Sequence, residues 1–427
     1  MLLKGALTLH LDPPDVQPLD VRIEGTTIVA TGPQLDVLPG EEVVDLAGKW
    51  LMPGLVVAHH HLYSALACGM PLVDESPSNF PDMLAKVWWR LDRALDEESV
   101  EISALVGGVQ ALRAGVTTII DHHASPSFIE GSLECLDGAL GSLGMRRVLC
   151  YEVTDRGGPT QAADGLRAHH NLLAADGEKM RAVLVGAHAN FTLSDDTLRA
   201  CGDLARDAGV GLHIHVAEAV DDERLVGEPL IERMRRLGAL LPGSILAHCV
   251  HLKPTELEAI NDAGAWVTHQ PRSNLNNGVG YAPIESFPET MAMGTDGIGG
   301  DLFTELQVGW FRAQEEGVPW APERWLRALS SGASIASQLL GTRLGHIESG
   351  AQADLVVLDP IPGPPLESHN LPAAFLFRLS SSAVESVMIA GTWQLKQRQP
   401  VWLSAAALDS RAQEVAKTVW KRMEDGP

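Results

Sequence analysis

The sequence has few of the features that mark secreted or membrane-bound proteins. It contains five cysteines, an odd number, and none of them forms a C-x-x-C pair. This argues against a disulfide framework and favours a reducing compartment. No uninterrupted apolar run reaches the roughly 18 residues that a membrane span needs. The first residues, MLLKGALTLHLDPPDVQ, also make a poor signal peptide. We therefore expect a cytoplasmic protein with no membrane contact.

Basic residues are scarce as well. The chain has 32 Lys and Arg against 55 Asp and Glu, which gives a net charge of −23. Such a surface repels phosphate backbones and anionic lipids, so nucleic acid is not an expected partner. We expect a homodimer, because two-fold dimers dominate among soluble enzymes.

Two kinds of pattern divide the chain. Residues 1–53 and 347–427 carry short strand-like segments such as LKGALTLHL, ADLVVLD and SVMIAGTWQL, followed by a helical stretch, ALDSRAQEVAKTVWKRM. These ends predict one small β-sandwich domain with a C-terminal helix. Residues 54–346 instead repeat a helix-like stretch followed by an apolar, β-branched run, and eight such runs occur: LVVAHHH, VTTIIDHH, RRVLCYEV, RAVLVGAHA, VGLHIHVAE, SILAHCVH, AWVTHQP and TMAMGTDG. Alternating strands and helices indicate an α/β fold, and eight units predict a (β/α)8 TIM-like barrel. The stretch SNLNNGVGYAPIESFPE, between the last two runs, shows little helical pattern.

Polar residues recur at the carboxyl ends of these runs, the end at which such barrels place their active sites. A single one of them would most simply be a hydrogen-bonded structural histidine. Ten at one end of eight strands indicate a site instead: His59, His61, His122, His123, His188, His213, His215, His248, His269 and Asp296. The pattern does not decide which of His122 and His123 faces the pocket.

Strand geometry suggests how some of these residues act together. His59 and His61 lie two apart, so they point to the same face and can reach one ion, whereas His60 points the other way. His213 and His215 also share a face, and spacing alone does not separate them.

Two carboxylates complete the candidate set. Glu218 follows just past the fifth run and could move protons beside a metal-activated water, although a solvent-exposed loop residue fits its position equally well. Asp296 ends the eighth run next to Gly297. Three histidines and a carboxylate suit one Zn²⁺, with Fe²⁺ or Mn²⁺ also possible.

Five motifs in order resemble the amidohydrolase superfamily: PGLVVAHHH, HVAE, AHCVHL, HQPRSN and GTDG. Within it the chain is similar to the cytosine, guanine and chlorohydrolase-type deaminases. More narrowly it resembles the SsnA-type aminohydrolases, through HHHLYSALACGM, VWWRLDRALDEESV and TTIIDHHASPSFIEGSL.

The resemblance assigns roles to these residues. It makes Glu218 the proton shuttle and His248 a hydrogen-bond partner of the substrate or of the attacking hydroxide. It also selects His215 over His213, because the ligand stands three residues before the glutamate. The implied metal ligands are His59, His61, His215 and Asp296, and the implied pocket residues are His188, His269, Arg272, Asn274 and His123. Binuclear members carry a modified lysine at the end of the fourth strand. The run RAVLVGAHA has none, so a mononuclear site is expected.

The sequence thus predicts a metal-dependent hydrolase that acts on carbon–nitrogen bonds other than peptide bonds. The leading hypothesis is deamination of a cyclic amidine in a purine, pterin or triazine-like small molecule. In this hypothesis Asp296 is catalytic as well as a metal ligand, because Asp296 and Glu218 deprotonate the metal-bound water, after which Glu218 protonates the ring nitrogen and ammonia leaves. Displacement of chloride or an alkylamine from a triazine, or cleavage of a cyclic amide, would use the same site. A metal-binding protein without turnover is disfavoured because Glu218 and Asp296 are both present.

Overall fold

A computed structural model describes residues 1–71, 76–175 and 179–425. The strands are β1 Leu2–Leu11, β2 Pro14–Glu24, β3 Thr27–Gly32, β4 Val43–Asp45, β5 Trp50–Pro53, β6 Leu55–His60, β7 Val116–His123, β8 Arg146–Tyr151, β9 Arg181–Val183, β10 Val185–Ala189, β11 Leu212–Val216, β12 Ile245–His248, β13 Trp266–His269, β14 Ala292–Met293, β15 Leu355–Leu358, β16 Val384–Ile389, β17 Thr392–Lys396 and β18 Gln399–Pro400. The α-helices are α1 Phe80–Met83, α2 Trp89–Arg93, α3 Glu97–Arg113, α4 Ser132–Ser142, α5 Pro159–Ala174, α6 Asp195–Ala208, α7 Asp222–Val226, α8 Leu230–Arg236, α9 Pro254–Asp262, α10 Pro271–Asn277, α11 Leu302–Glu315, α12 Pro322–Leu340, α13 Leu371–Phe377 and α14 Ala405–Asp425. None of these helices combines the length and apolar character that crossing a bilayer requires.

Both ends of the chain contribute to one nine-stranded sheet. Its order is β18-β17-β16-β15-β5-β1-β2-β3, and β4 pairs with β1. β15 runs antiparallel to β5, with Leu355 opposite Pro53, so strands from the two ends are hydrogen-bonded neighbours. A separate apolar core contains residues from both ends, among them Leu3, Val21 and Met388. The helix predicted at the C-terminal end is α14, and it packs against α3.

The middle of the chain alternates strands with helices. β6-β7-β8-β9 form one parallel sheet and β10-β11-β12-β13-β14 form another. Isolated parallel bridges join His60 to Asp296 and Val153 to Ala187, and so connect the two sheets. One apolar cluster combines Ile120 of the first sheet, Ile245 of the second and residues of α12. The predicted α/β architecture with parallel strands is confirmed.

Two local details differ from the sequence-based expectation. The fourth run forms two strands rather than one, because β9 pairs with β8 whereas β10 pairs with β11. The stretch after the seventh run, expected to have little helix, begins within α10. Pro271 stands in the first turn of α10, and Gly278 ends it in the left-handed region at φ 63°. Seven residues are too few to display a helical period in the sequence.

A buried ion pair joins the parallel sheets to the nine-stranded sheet. Nε and Nη2 of Arg146, in β8, donate to Oδ2 and Oδ1 of Asp354 at 2.7 and 3.0 Å. The two side chains are 1% and 2% exposed. Asp354 directly precedes β15, so this pair fixes one unit of the fold against the other.

We expect Asp354→Ala to lower the free energy of unfolding by about 3–5 kcal/mol, because it leaves a buried guanidinium without its counter-charge. Denaturant unfolding of the purified protein measures this. The matched control is Asp203→Ala, which removes a half-exposed partner of Arg206 and should cost less than about 1 kcal/mol. Equal losses in both variants would contradict a special role for the buried pair.

Candidate metal centre

Three imidazoles and one carboxylate converge at the carboxyl ends of the parallel strands. Oδ1 of Asp296 lies 3.2 Å from Nε2 of His59 and 2.9 Å from Nε2 of His61. Nε2 of His61 lies 3.1 Å from Nε2 of His215. These elements are distant in sequence: β6 supplies His59 and leads into His61, β11 supplies His215, and Asp296 follows β14. Four nitrogen and oxygen donors at this spacing match the ligand set of a Zn²⁺-type ion.

The hydrogen bonds behind the rings fix which nitrogen faces the cluster. Nδ1 of His61 donates to the carbonyl of His122 at 2.5 Å, and Nδ1 of His215 donates to the carbonyl of His188 at 2.8 Å. In the neutral tautomers that these bonds define, both Nε2 atoms carry lone pairs. Two lone pairs facing each other at 3.1 Å repel unless a cation lies between them. The residues present therefore fit a divalent metal, with backbone carbonyls orienting its ligands.

His213 lies directly behind this cluster. Its Nε2 is 2.8 Å from Nδ1 of His59, and its Nδ1 is 3.6 Å from Sγ of Cys150. Strand parity gives His213 and His215 the same face, and the structure brings His215 into the cluster while His213 supports His59. His60 turns away and bonds through Nδ1 to Oγ1 of Thr295 at 2.8 Å.

Asp296 is held in an unusual backbone conformation. Its φ is 51°, in the left-handed region. Ser273 donates from Oγ to Oδ2 of Asp296, which leaves Oδ1 to the histidines. Arg272 holds the loop that follows Asp296, because its Nη2 donates to the carbonyls of Ile298 and Gly299 at 2.7 Å each. The turn thus aims one carboxylate oxygen at the cluster.

Glu218 and His248 stand beside the cluster. Oε2 of Glu218 lies 3.6 Å from Nε2 of His248, and Nδ2 of Asn277 donates to Oε1 of Glu218 at 3.4 Å. Nδ1 of His248 bonds to Oδ1 of Asn274 at 2.9 Å, so its Nε2 is turned toward the site. Burial, followed by the charges of Asp296 and Asp222, raises the pKa of the Glu218 carboxyl well above its usual range. The raised pKa favours the protonated carboxyl, so this side chain can hold a proton inside the pocket.

A pocket of about 600 Å³, partly continuous with solvent, opens onto these groups. Besides His61, His215, Glu218 and Asp296, its lining is aromatic and acidic, and includes Tyr63, Phe80, Trp88, Trp89, Asp92, Glu152, His188, Phe191 and Asp222. A flat ring could pack against such aromatic walls.

The other predicted pocket residues lie in different surroundings. His188 lines the pocket, whereas His269, Arg272, Asn274 and His123 are not among the lining residues. Arg272 is paired with Glu305, and Asn274 orients His248. His269 packs edge-on against Phe287, and His123 lies near Tyr63 and Tyr151 while bonding to Ser125. His122, rather than His123, faces the histidine cluster, with its ring centroid 4.7 Å from that of His215.

Several lining residues escaped the sequence-based reasoning. Glu152 directly follows β8, where the rule that found the histidines would also have found it. Trp88, Trp89 and Asp92 lie in the VWWRLD segment, which had served only to indicate the resemblance. Asn277 ends α10, the helix that the pattern did not reveal.

The chain matches the family described as "Amidohydrolase family" over residues 50–394. It is 29% identical over 434 residues to a 5-methylthioadenosine/S-adenosylhomocysteine deaminase of Natronomonas pharaonis, covering 96% of each chain. Among solved structures it is similar to a zinc-bound adenosine deaminase from Xanthomonas campestris, with a TM-score of 0.86, 23% identity and 98% of each chain covered. It is also similar to the zinc-complexed atrazine chlorohydrolase TrzN from Arthrobacter aurescens, with a TM-score of 0.83 and 22% identity, covering 97% of this chain and 99% of that one. At these sequence identities, the similarity to the two structures supports the fold alone.

His215→Ala should abolish metal binding, whereas His213→Ala should keep most of the metal. His213 contacts His59 rather than the donor cluster, so its loss should weaken affinity about 10- to 100-fold, as is usual for residues that orient a ligand. Elemental analysis of both variants, purified without chelator, measures their metal content, and competition with a chelator measures their affinity for the metal. A metal-free His213 variant beside a metal-loaded His215 variant would reverse the assignment.

Proposed function

This chain belongs to the amidohydrolase family, and we propose that it hydrolytically deaminates a cyclic amidine in a purine, pterin or triazine-like ring. The position of Glu218 carries this proposal. Its carboxyl is buried, lines the pocket and stands next to the donor cluster without joining it. That arrangement suits proton transfer to a substrate rather than metal binding. The deaminase named in the sequence comparison supports the same reaction type.

The proposal includes the wider architecture. We infer that residues 54–346 close into one (β/α)8 barrel, since the bridges His60–Asp296 and Val153–Ala187 connect both edges of the two parallel sheets. We infer further that residues 1–53 and 347–427 form a β-sandwich with its own apolar core. The active site then lies at the carboxyl ends of the barrel strands.

His59, His61, His215 and Asp296 would hold one divalent ion, most simply Zn²⁺. When bound, such an ion supplies Lewis acidity that favours ionisation of water near neutral pH. One equivalent of metal per chain is expected. A reproducible two equivalents, both required for activity, would contradict this part of the proposal.

The side chains of the pocket perform the remaining steps. The aromatic wall holds the ring, and His248, oriented by Asn274, presents Nε2 to the oxygen that adds to the ring carbon. Glu218 takes a proton from the attacking water and passes it to the adjacent ring nitrogen. As the carbon–nitrogen bond breaks, Glu218 passes the proton of the added hydroxyl to the leaving amine, so that ammonia departs and a ring carbonyl remains. Buried polar groups give such a pocket its selectivity, because the wrong ring leaves them unpaired.

Glu218→Gln should bind metal and ring ligands but lose kcat by about 100-fold or more, because the amide cannot relay protons. The matched control is Glu223→Gln, a half-exposed carboxylate in the following helix, and it should keep wild-type kcat. Ammonia release and metal content are measured side by side. Loss of metal in the Glu218 variant would mean that this carboxylate is a ligand, and normal kcat would mean that another group moves the protons.

We expect ammonia release from at least one member of a panel containing 5'-methylthioadenosine, S-adenosylhomocysteine, adenosine, a pterin and an aminotriazine. The first two are the compounds for which the relative is named. A chlorotriazine in the same panel tests whether the enzyme displaces chloride instead of an amine. Chloride release without ammonia release from any member would overturn deamination and leave the metal centre intact.

A further inference from the structure

Two hydrogen-bond acceptors face each other in the wall of the pocket. Oε1 of Glu152 lies 3.7 Å from Nε2 of His188, and both side chains line the pocket. The residues are 4% and 6% exposed. The separation exceeds a hydrogen bond, and it leaves room for a donor to approach both atoms.

The tautomer of His188 is set by its other nitrogen. Oγ1 of Thr192 donates to the carbonyl of Ala189 at 3.0 Å, and Nδ1 of His188 lies 2.7 Å from the same Oγ1. Since the hydroxyl proton is already used, Nδ1–H of His188 is the donor in that contact. The neutral ring therefore turns the lone pair of Nε2 toward Glu152.

A third acceptor completes this wall. Asp92 is 1% exposed and lines the pocket, and its Oδ1 has no hydrogen-bond partner among the described residues. Its Oδ2 accepts from Nη2 of Arg156 at 2.7 Å, and that same nitrogen donates to Oε1 of Glu152 at 3.2 Å. One guanidinium nitrogen thus donates to both carboxylates, and Oδ1 of Asp92 remains without a donor in the part of the chain that the structure describes. A buried unpaired oxygen is costly unless a ligand satisfies it.

This acceptor slot, defined by Asp92, Glu152 and His188, lies close to the metal ligands. One side-chain nitrogen or oxygen atom from each of Glu152, His188 and His215 lies within 4.8 Å of the other two. A group bound between Glu152 and His188 therefore lies beside the metal ligand His215, which places it near the ring that reacts there.

We propose that the acceptor slot binds a second N–H donor on the substrate ring, an exocyclic amine other than the one that leaves. This inference rests on the proposed deamination and narrows its substrate class to diamino-substituted heterocycles. A ring that places hydrogen or a carbonyl oxygen in the slot leaves the acceptors unpaired or opposes them with another acceptor. Such a ring should bind more weakly than its diamino counterpart.

The test compares adenine with 2,6-diaminopurine, two rings that differ by one exocyclic amine. Binding is measured by calorimetry on zinc-loaded Glu218→Gln protein, in which turnover does not interfere. We expect 2,6-diaminopurine to bind at least about tenfold more tightly, as for a hydrogen bond to a charged group. Adding Glu152→Gln should reduce the preference to less than about threefold, and adding Asp92→Asn should reduce it as well. Adding Glu130→Gln, an exposed carboxylate on the surface, should leave it unchanged.

Equal binding of the two rings would overturn the proposal, as would a preference that survives both Glu152→Gln and Asp92→Asn. A second metal equivalent lost in Glu152→Gln would also overturn it, because the slot would then hold a cation. Metal content and thermal melting check that each variant is folded, and two variants keep the test valid if one is not. The wild-type protein is assayed separately for ammonia release. A preference for 2,6-diaminopurine, without ammonia release from either ring or from any member of the panel described above, upholds the slot and contradicts the deaminase function.

Discussion

Mutual repulsion among the donors of the metal centre is the constraint on which the rest of the structure depends. The Nε2 atoms of His61 and His215 and Oδ1 of Asp296 lie about as close as hydrogen-bonded atoms do, and when both rings are neutral these atoms offer one another lone pairs. The backbone must hold them there. It does so with carbonyls that fix the imidazoles and with left-handed φ angles at Ala217, His248, Cys249 and Asp296. Such conformations cost on the order of 1–3 kcal/mol each, so the packed strands beneath must stabilise them.

The same centre governs the electrostatics of the pocket. Asp92, Glu152, Glu218, Asp222 and Asp296 all line it, and Arg156 contacts two of these carboxylates. A divalent ion would offset much of the remaining charge. The whole chain carries a net charge of −23, which disfavours the approach of phosphate-bearing compounds. Neutral or cationic rings are thus favoured over anionic compounds, both as they approach the protein and once they are bound in the pocket.

Much of the fold was readable in the sequence because apolar β-branched runs and terminal polar residues follow the period of parallel strands. The seventh run, AWVTHQP, contains β13, and the sixth, SILAHCVH, contains β12. Strand parity does not separate His213 from His215, since both point inward, and only three-dimensional packing places one of them behind His59. The resemblance implied that Arg272 lines the substrate pocket, because it belongs to the matching motif HQPRSN. Its guanidinium bonds to Glu305 from α11, a partner that no local pattern reveals.

The pairing of β5 with β15 has a consequence for the order of events during synthesis. Trp50 and Leu358 are opposite each other, yet some 300 residues separate them along the chain. At roughly 5–20 residues per second, a ribosome needs on the order of 15–60 seconds to supply the second strand after the first. Until then β5 presents an open, apolar edge of the kind that invites pairing with other chains. The nascent protein must pass through this interval with its amino-terminal strands unfinished.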